Sequence, residues 1–244
     1  MKVMLVPGMV KDNFNINEFE HHIEYDVALI NGTLNDYNDR LKPTFACLDD
    51  DYYDVAKQIE YSFVNKKLTM GVLKGIGWKY VHTPTDNQHN SLINIVSFGG
   101  QFNSNDFNSK IQIADQRSIM KTDIIRAKRN KNCDILLTNR PPLGIIGINV
   151  KDNFGFNQLL DIGNPRLTGI IKKIRPKFII ARHYSLDKPI IRRISEYATL
   201  ISLPVNVPKV YVLDMDNPTF LTAYGKYSYK SSFILESEVI PISL

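Results

Sequence analysis

Cysteine is scarce: the 244 residues hold two, Cys47 and Cys133, and a single tryptophan. Two distant thiols cannot build the disulfide framework of a small secreted domain or a cysteine-rich zinc site. Each lies beside an apolar run, as expected of a reduced, buried thiol in a cytoplasmic protein. Long apolar runs are missing too. No stretch approaches the ~20 residues that cross a bilayer, and no basic segment followed by an apolar core opens the chain, so neither export nor a membrane partner is expected. Gly71, Gly75 and Gly77 with Lys74 lack the Gly-Lys-Ser/Thr ending of a phosphate-binding loop. No serine stands in a nucleophile elbow. Internal repeats, low-complexity tracts and Pro/Gly linkers are likewise absent, which predicts one domain over 1–244.

What is present has ordinary globular proportions. At 43% hydrophobic and 23% charged residues, the chain can bury a sizeable core. Lys and Arg number 30 against 25 Asp and Glu, a formal charge of +5 that suits a polyanionic partner without requiring one. The cations cluster at Arg126, Lys128, Arg129 and Lys131, and again at Lys172, Lys173, Arg175, Lys177 and Arg182, each time leading into an apolar strand. Cations at helix C-termini also offset the dipole, which accounts for either cluster taken singly. Together they point to a phosphate-rich ligand.

Met1 to Val6 reads as a buried strand closed by Pro7-Gly8. A helical spacing of Ile16, Phe19 and Ile23 follows, then a second strand over 26–30, a third over 43–47, and a helix from about Tyr53 with Val55, Ile59 and Phe63 on one face. Short runs between Val72 and Phe102 predict antiparallel strands, so the sheets should be mixed. A basic helix-like segment over 113–131 feeds a strand at 134–138 and then a loop. Leu167, Ile170, Ile171 and Ile174 mark a helix broken at Arg175-Pro176, ahead of a strand from Lys177 to Ala181. A short helix around 190–197 and an antiparallel tail over 200–235 complete the expectation.

Four segments in this order carry a resemblance: Asp26-Val-Ala-Leu-Ile-Asn-Gly-Thr33, Lys42-Pro-Thr-Phe-Ala-Cys-Leu-Asp-Asp-Asp51, Asp134-Ile-Leu-Leu-Thr-Asn-Arg-Pro-Pro-Leu-Gly144 and Arg175-Pro-Lys-Phe-Ile-Ile-Ala-Arg-His183. Across roughly residues 1 to 215 the pattern resembles the calcineurin-like metallophosphoesterases. Their implied fold is α/β, with two facing mixed β-sheets flanked by helices in a four-layer sandwich and strand-end loops that hold two metal ions. A similar loss of ligands marks the metallophosphoesterase-like domain of Cwf19/Drn1 proteins, relatives of the RNA lariat debranching enzymes.

Position by position, the resemblance implies a damaged centre. The first motif's aspartate and histidine fall on Gly8 and Val10, the bridging aspartate on Thr33, the Asn-His pair on Asp49 and Asp50, and the fourth motif's histidine on Asn139. In the last motif His183 is kept and Ser185 replaces its partner. Gly8, Val10, Thr33 and Ser185 leave one ion without strong ligands. Asp49, Asn139 and His183 offer a residual site for one Mn²⁺ or Mg²⁺ ion, or for none. Asp50, in place of the leaving-group acid, would be ionised at neutral pH and a poor acid.

Simpler readings stand beside these. Asp49 to Asp51 suit the N-terminus of the following helix, Asn139 suits a turn, and a lone strand-end histidine is often just hydrogen-bonded. His21-His22 reads as an exposed helix edge, and His82 and His89 as residues of a polar loop. The resulting expectation is a non-catalytic binding protein that takes a nucleic acid, a nucleotide or another phosphate-containing ligand, or a protein partner, through a basic rim of Arg140, Arg182 and Tyr184. The alternative is a weak single-metal phosphodiesterase or phosphatase with Asp50 as its candidate catalytic residue.

Overall fold

The computed structural model describes residues 1–8, 17–31, 42–47, 76–82, 91–100, 119–151, 157–161, 163–184, 186–205, 207–225 and 230–235. The opening strand β1 (Lys2–Val6) pairs in parallel with β2 (Val27–Asn31), and β2 in parallel with β3 (Thr44–Cys47); the short helix α1 (Asn17–Glu20) lies between β1 and β2. The chain then leaves this sheet. A second sheet forms from β4 (Ile76–His82), β5 (Ser91–Ser97), β6 (Ile135–Leu137), β9 (Phe178–His183), β10 (Ile190–Arg193) and β11 (Thr199–Pro204), in the order β10-β11-β9-β6-β5-β4. The helices α2 (Lys121–Lys128) and α3 (Leu167–Ile174) lead into β6 and β9. Finally β12 (Lys209–Asp214), β13 (Phe220–Gly225) and β14 (Lys230–Ile234) return to the first sheet, giving β14-β13-β12-β1-β2-β3.

Alternation along the strands explains why the two sheets stack. Val3, Leu5, Val27 and Leu29 pack between the sheets against Ile95, Ile135, Leu137, Phe178, Ile180 and Leu203. Their neighbours face outward. Leu136, Ile179, Ala181 and Leu200 pack beneath Ile170, Ile171 and Ile174 of α3, while Met4, Val6, Ala28 and Ile30 meet Phe19, Ile23 and Tyr25. The result is the expected layered α/β architecture with two mixed sheets.

Local chemistry sets the helix ends. The backbone N–H of Met120 donates to Asp123 Oδ2 at 2.8 Å, satisfying an orphan donor ahead of α2. α3 stops because Arg175 takes a left-handed conformation (φ 51°) and donates its N–H to the carbonyl of Ile171, after which Pro176 cannot continue the helix.

Four expectations are corrected. The segment expected as a helix around 190–197 is an edge strand: β10 pairs antiparallel with β11, where β-branched Ile190 and Ile191 fit a half-buried pleated surface, and a turn bonds Ile194 N–H to the Ala198 carbonyl. The loop expected after β6 contains a two-stranded sheet of β7 (Gly147–Lys151) and β8 (Asn157–Asp161). The tail is not one antiparallel run, since β11 lies parallel to β9 and only β12 to β14 form a meander. His82 ends β4 rather than lying in a loop. The helix expected from Tyr53 lies outside the described residues. No described helix is long and apolar enough to cross a membrane.

Candidate functional site at the strand ends

Strands β2, β3, β5, β6 and β9 run in the same direction within their sheets, and the C-terminal ends of β2, β3, β5 and β9 meet where the sheets face one another. The polar contacts between the sheets show this. Asn31, the last residue of β2, donates from Nδ2 to the carbonyl of Ile180 in β9 at 3.3 Å, and Ser97, the last residue of β5, donates from Oγ to the carbonyl of Ala46 in β3 at 3.3 Å. Both side chains are buried. A strand that is apolar along its length and polar at its last residue places that group at a mouth between layers, where ligands of open α/β sheets generally bind.

Around this mouth lie further buried polar groups. Asn139, just past β6, donates from Nδ2 to the Gly100 carbonyl at 3.4 Å. Thr138 donates its N–H to Ile180 at 2.8 Å, which fixes the start of the loop to β9. His183 is fully buried at the end of β9, with Nδ1 3.1 Å from Ser202 Oγ on the parallel strand β11. Burial holds the His183 imidazole below its ordinary value of 6.5, with backbone groups of Lys188 and Leu186 opposing in part, so the neutral ring is favoured. At these strand ends three buried acceptor-capable atoms have no hydrogen-bond partner: Asn31 Oδ1, Asn139 Oδ1 and His183 Nε2. Native interiors rarely leave such atoms unmatched, so each invites a ligand atom or a water.

Arg182 is 4% exposed, and its guanidinium lies 5.7 Å from the centroid of the Tyr184 ring, which is 52% exposed. A cation is thus held beneath an aromatic face. Arg140 is exposed on the loop after Asn139. That loop is pinned by a bridge between Pro142 and Asn164, with Asn164 N–H donating to the Pro141 carbonyl at 2.7 Å.

Of the residues singled out from sequence, Asn139, Arg140, Arg182, His183 and Tyr184 therefore fall at the ends of the neighbouring strands β6 and β9. Continuing the Leu137↔Ile180 register by two residues sets Asn139 beside Arg182, one position short of His183. Asp49 and Asp50 lie outside the described residues, as do Val10, Thr33 and Ser185. Asn31, Ser97 and Ser202 were missed. Asn31 was detectable as the single polar residue ending the run Val27 to Ile30.

Gly8 ends β1 at the same edge, buried, with φ at 39°, a backbone state that favours glycine. It has no side chain to offer a metal. Asn139 Oδ1 and His183 Nε2 have the donor chemistry for a single hard or borderline ion. Among the described residues no three His, Cys, Asp or Glu side chains gather into a metal-binding group.

The fold has counterparts among solved structures. Over 98% of this chain and 90% of the other, it is similar to GAP50, described as the anchor in the inner membrane complex of Plasmodium, with a TM-score of 0.56 and 11% identity. It is also similar to TT1561 of Thermus thermophilus over 96% and 99% of the two chains, with a TM-score of 0.54 and 8% identity. The fold is metallophosphoesterase-like. At such identities the likeness concerns architecture alone. No protein-family model matches the chain, and no curated protein matches it.

The two sequence clusters of cations occupy a different place. Arg129, Lys131, Arg175 and Lys177 follow α2 and α3 and precede β6 and β9, so they lie at the N-terminal edge of the second sheet. The Lys177–Asp134 ion pair at 2.8 Å joins the two connections there. The mouth holds Arg140 and Arg182; the remaining cations of these clusters sit at the other end of the strands.

Proposed function

We propose that the chain is a single-domain, non-catalytic metallophosphoesterase-like protein that binds a nucleotide or single-stranded nucleic acid at the strand-end mouth. The observation that carries this reading is Arg182 buried beneath the exposed ring of Tyr184, with Arg140 on the adjoining loop. A guanidinium held in low-dielectric surroundings supplies a fixed positive potential at the place where the resemblance implies metal ions. Tyr184 offers a base a stacking face, and Arg140 can pair with a phosphate. Gly8 in the position of a first-motif ligand supports the non-catalytic assignment.

The test is fluorescence anisotropy with a labelled single-stranded oligonucleotide. Stacking is worth about 1–3 kcal/mol per base, so Tyr184→Ala should weaken binding roughly 5- to 150-fold. Arg140→Gln should weaken it less and reduce its salt dependence. No binding at low salt, or binding unaffected by either change, overturns the proposal.

A second reading is favoured by Asn139 Oδ1 and His183 Nε2, both buried without a hydrogen-bond partner. With Asp49 they would hold one Mn²⁺ or Mg²⁺ ion, which would supply Lewis-acid polarisation of a phosphoester, and Asp50 would be the nearby acid or base. Calorimetric titration of chelator-treated protein with Mn²⁺ tests this independently of turnover. Binding that disappears in His183→Ala supports it, and absence of binding ends it.

A further inference from the structure

The segments 119–134 and 166–177 contain ten Lys and Arg against two Asp, an excess greater than the +5 of the whole chain. The fold gathers them. Helices α2 and α3 pack side by side over the outer face of the second sheet, close enough for the Lys128 ammonium to lie 3.2 Å from where a side chain at Gly169 would begin. Both acidic residues are engaged within the patch: Asp123 pairs with Arg126 at 3.2 Å and caps α2, and Asp134 pairs with Lys177 and accepts from the Asn94 N–H at 2.9 Å. Arg129, Lys131, Lys172, Lys173, Arg175 and Lys177 are exposed. Among the described residues, Arg129, Lys131, Lys172 and Lys173 form no ion pair.

Two helix C-termini, each worth roughly half a negative charge, cannot account for this excess. Like charges held at such density repel one another unless an anion joins them. The patch also lacks what other anionic surfaces use. Its one exposed large apolar side chain is Ile125, too little for insertion into a lipid surface, and no exposed large aromatic lies on it among the described residues. Tyr197 is partly buried against the core beneath α3, and Arg175 lies 4.8 Å from its ring centroid, which together withdraw that ring from stacking. A surface that offers cations without stacking faces matches an anion whose bases are already stacked on each other.

We propose that the α2–α3 face, at the N-terminal edge of the second sheet, binds the phosphate backbone of double-stranded nucleic acid without regard to sequence. It is separate from the mouth described above. The six-residue strand β9 divides Arg175 and Lys177 from Arg182 and His183, a separation of roughly 15–20 Å. The proposal does not depend on the mouth binding anything.

The probe is a short, mixed-sequence, fluorescein-labelled DNA duplex, followed by anisotropy across a salt series. With about six phosphates neutralised, log K should fall against log salt with a slope of about −5, a loss of roughly a thousandfold between 50 and 200 mM salt. The triple variant Arg129→Gln, Lys172→Gln, Lys173→Gln should reduce the slope to about half. The charge-preserving Lys172→Arg, Lys173→Arg variant should retain binding, which separates charge from any effect on folding. Tyr184→Ala, at the mouth, should leave duplex binding unchanged whatever it does to single-strand binding. The proposal is overturned if the duplex does not bind at low salt, if the triple variant keeps the full slope, if Tyr184→Ala reduces duplex and single-strand binding alike, or if vesicles with anionic headgroups bind the patch and the duplex does not.

Discussion

Two glycine-to-alanine substitutions should shift stability in opposite directions. Gly163 lies against the loop that follows Asn139: a Cβ built there stands 2.4 Å from Leu143 Cα and 2.4 Å from the Pro142 carbonyl oxygen. Ordinary carbon contacts lie near 3.5–4.0 Å, so backbone on one side must retreat by about 1 Å, and that loop is already tied to Asn164. Over-packing of this kind costs typically 1–3 kcal/mol. Against it stands about 0.4–1 kcal/mol gained by restricting the unfolded chain. The net is a loss of about 1–2 kcal/mol, or ~2–8 °C in Tm for a chain of this size. Gly169 is the control. Its Cβ would meet only the flexible end of Lys128 at 3.2 Å, and it lies within α3, where alanine exceeds glycine by about 0.5–1 kcal/mol. Gly169→Ala should therefore raise Tm by ~1–4 °C. Thermal unfolding followed by circular dichroism, with urea denaturation to confirm an unchanged m-value, measures both. Equal shifts in the two variants, or a Gly163→Ala protein as stable as the parent, would refute the steric argument.

Asn31→Leu removes a buried amide oxygen that has no partner, and Ile180 still accepts from Thr138, so stability should stay level or rise by up to about 1 kcal/mol in urea titrations; a loss above 2 kcal/mol would mean that the cross-sheet bond outweighs the orphaned atom. Asp134→Ala should cost about 1–3 kcal/mol because the carboxylate serves both the Asn94 N–H and Lys177, whereas Lys177→Ala, at an exposed ammonium, should cost less than about 1 kcal/mol. The lowered His183 value gives a pH dependence of defined sign. The unfolded chain takes up a proton near pH 6.5 while the folded protein resists it, so this contribution is complete above pH 6.5 and declines as pH falls from there to the folded-state value. His183→Gln should flatten that part of a stability–pH profile, and an unchanged slope would assign it to another group.

How much of this was legible in the sequence depended on which physical signal each residue emits. β1, β2, β3, β6, β9 and α3 were readable because continuous apolar runs or the spacing of Leu167, Ile170, Ile171 and Ile174 express burial directly. Ile190-Ile-Arg-Arg193 was misread because two isoleucines beside two arginines suit a helix face and an edge strand equally, and only pairing with β11 decides between them. β7 and β8 pair with each other in a two-stranded sheet of their own, a partnership that the local pattern of either segment does not express. At the mouth, Asn139, Arg182 and His183 could be placed because they end recognisable strands. The contacts of Asn31 with Ile180 and of Ser97 with Ala46 join residues 149 and 51 positions apart, beyond the reach of local periodicity. The position of the cation clusters relative to the mouth could be known only from strand direction.

The route of the chain between its sheets has a consequence for synthesis. β1 lies in the interior of the first sheet, yet the strand on its far side, β12, is synthesised only after every described strand of the second sheet. Until then β1 presents a bare, apolar edge, a template for pairing with a neighbouring nascent chain. A chain arrested before Lys209 would retain that edge permanently, so premature termination should yield an association-prone product rather than a shortened, folded one.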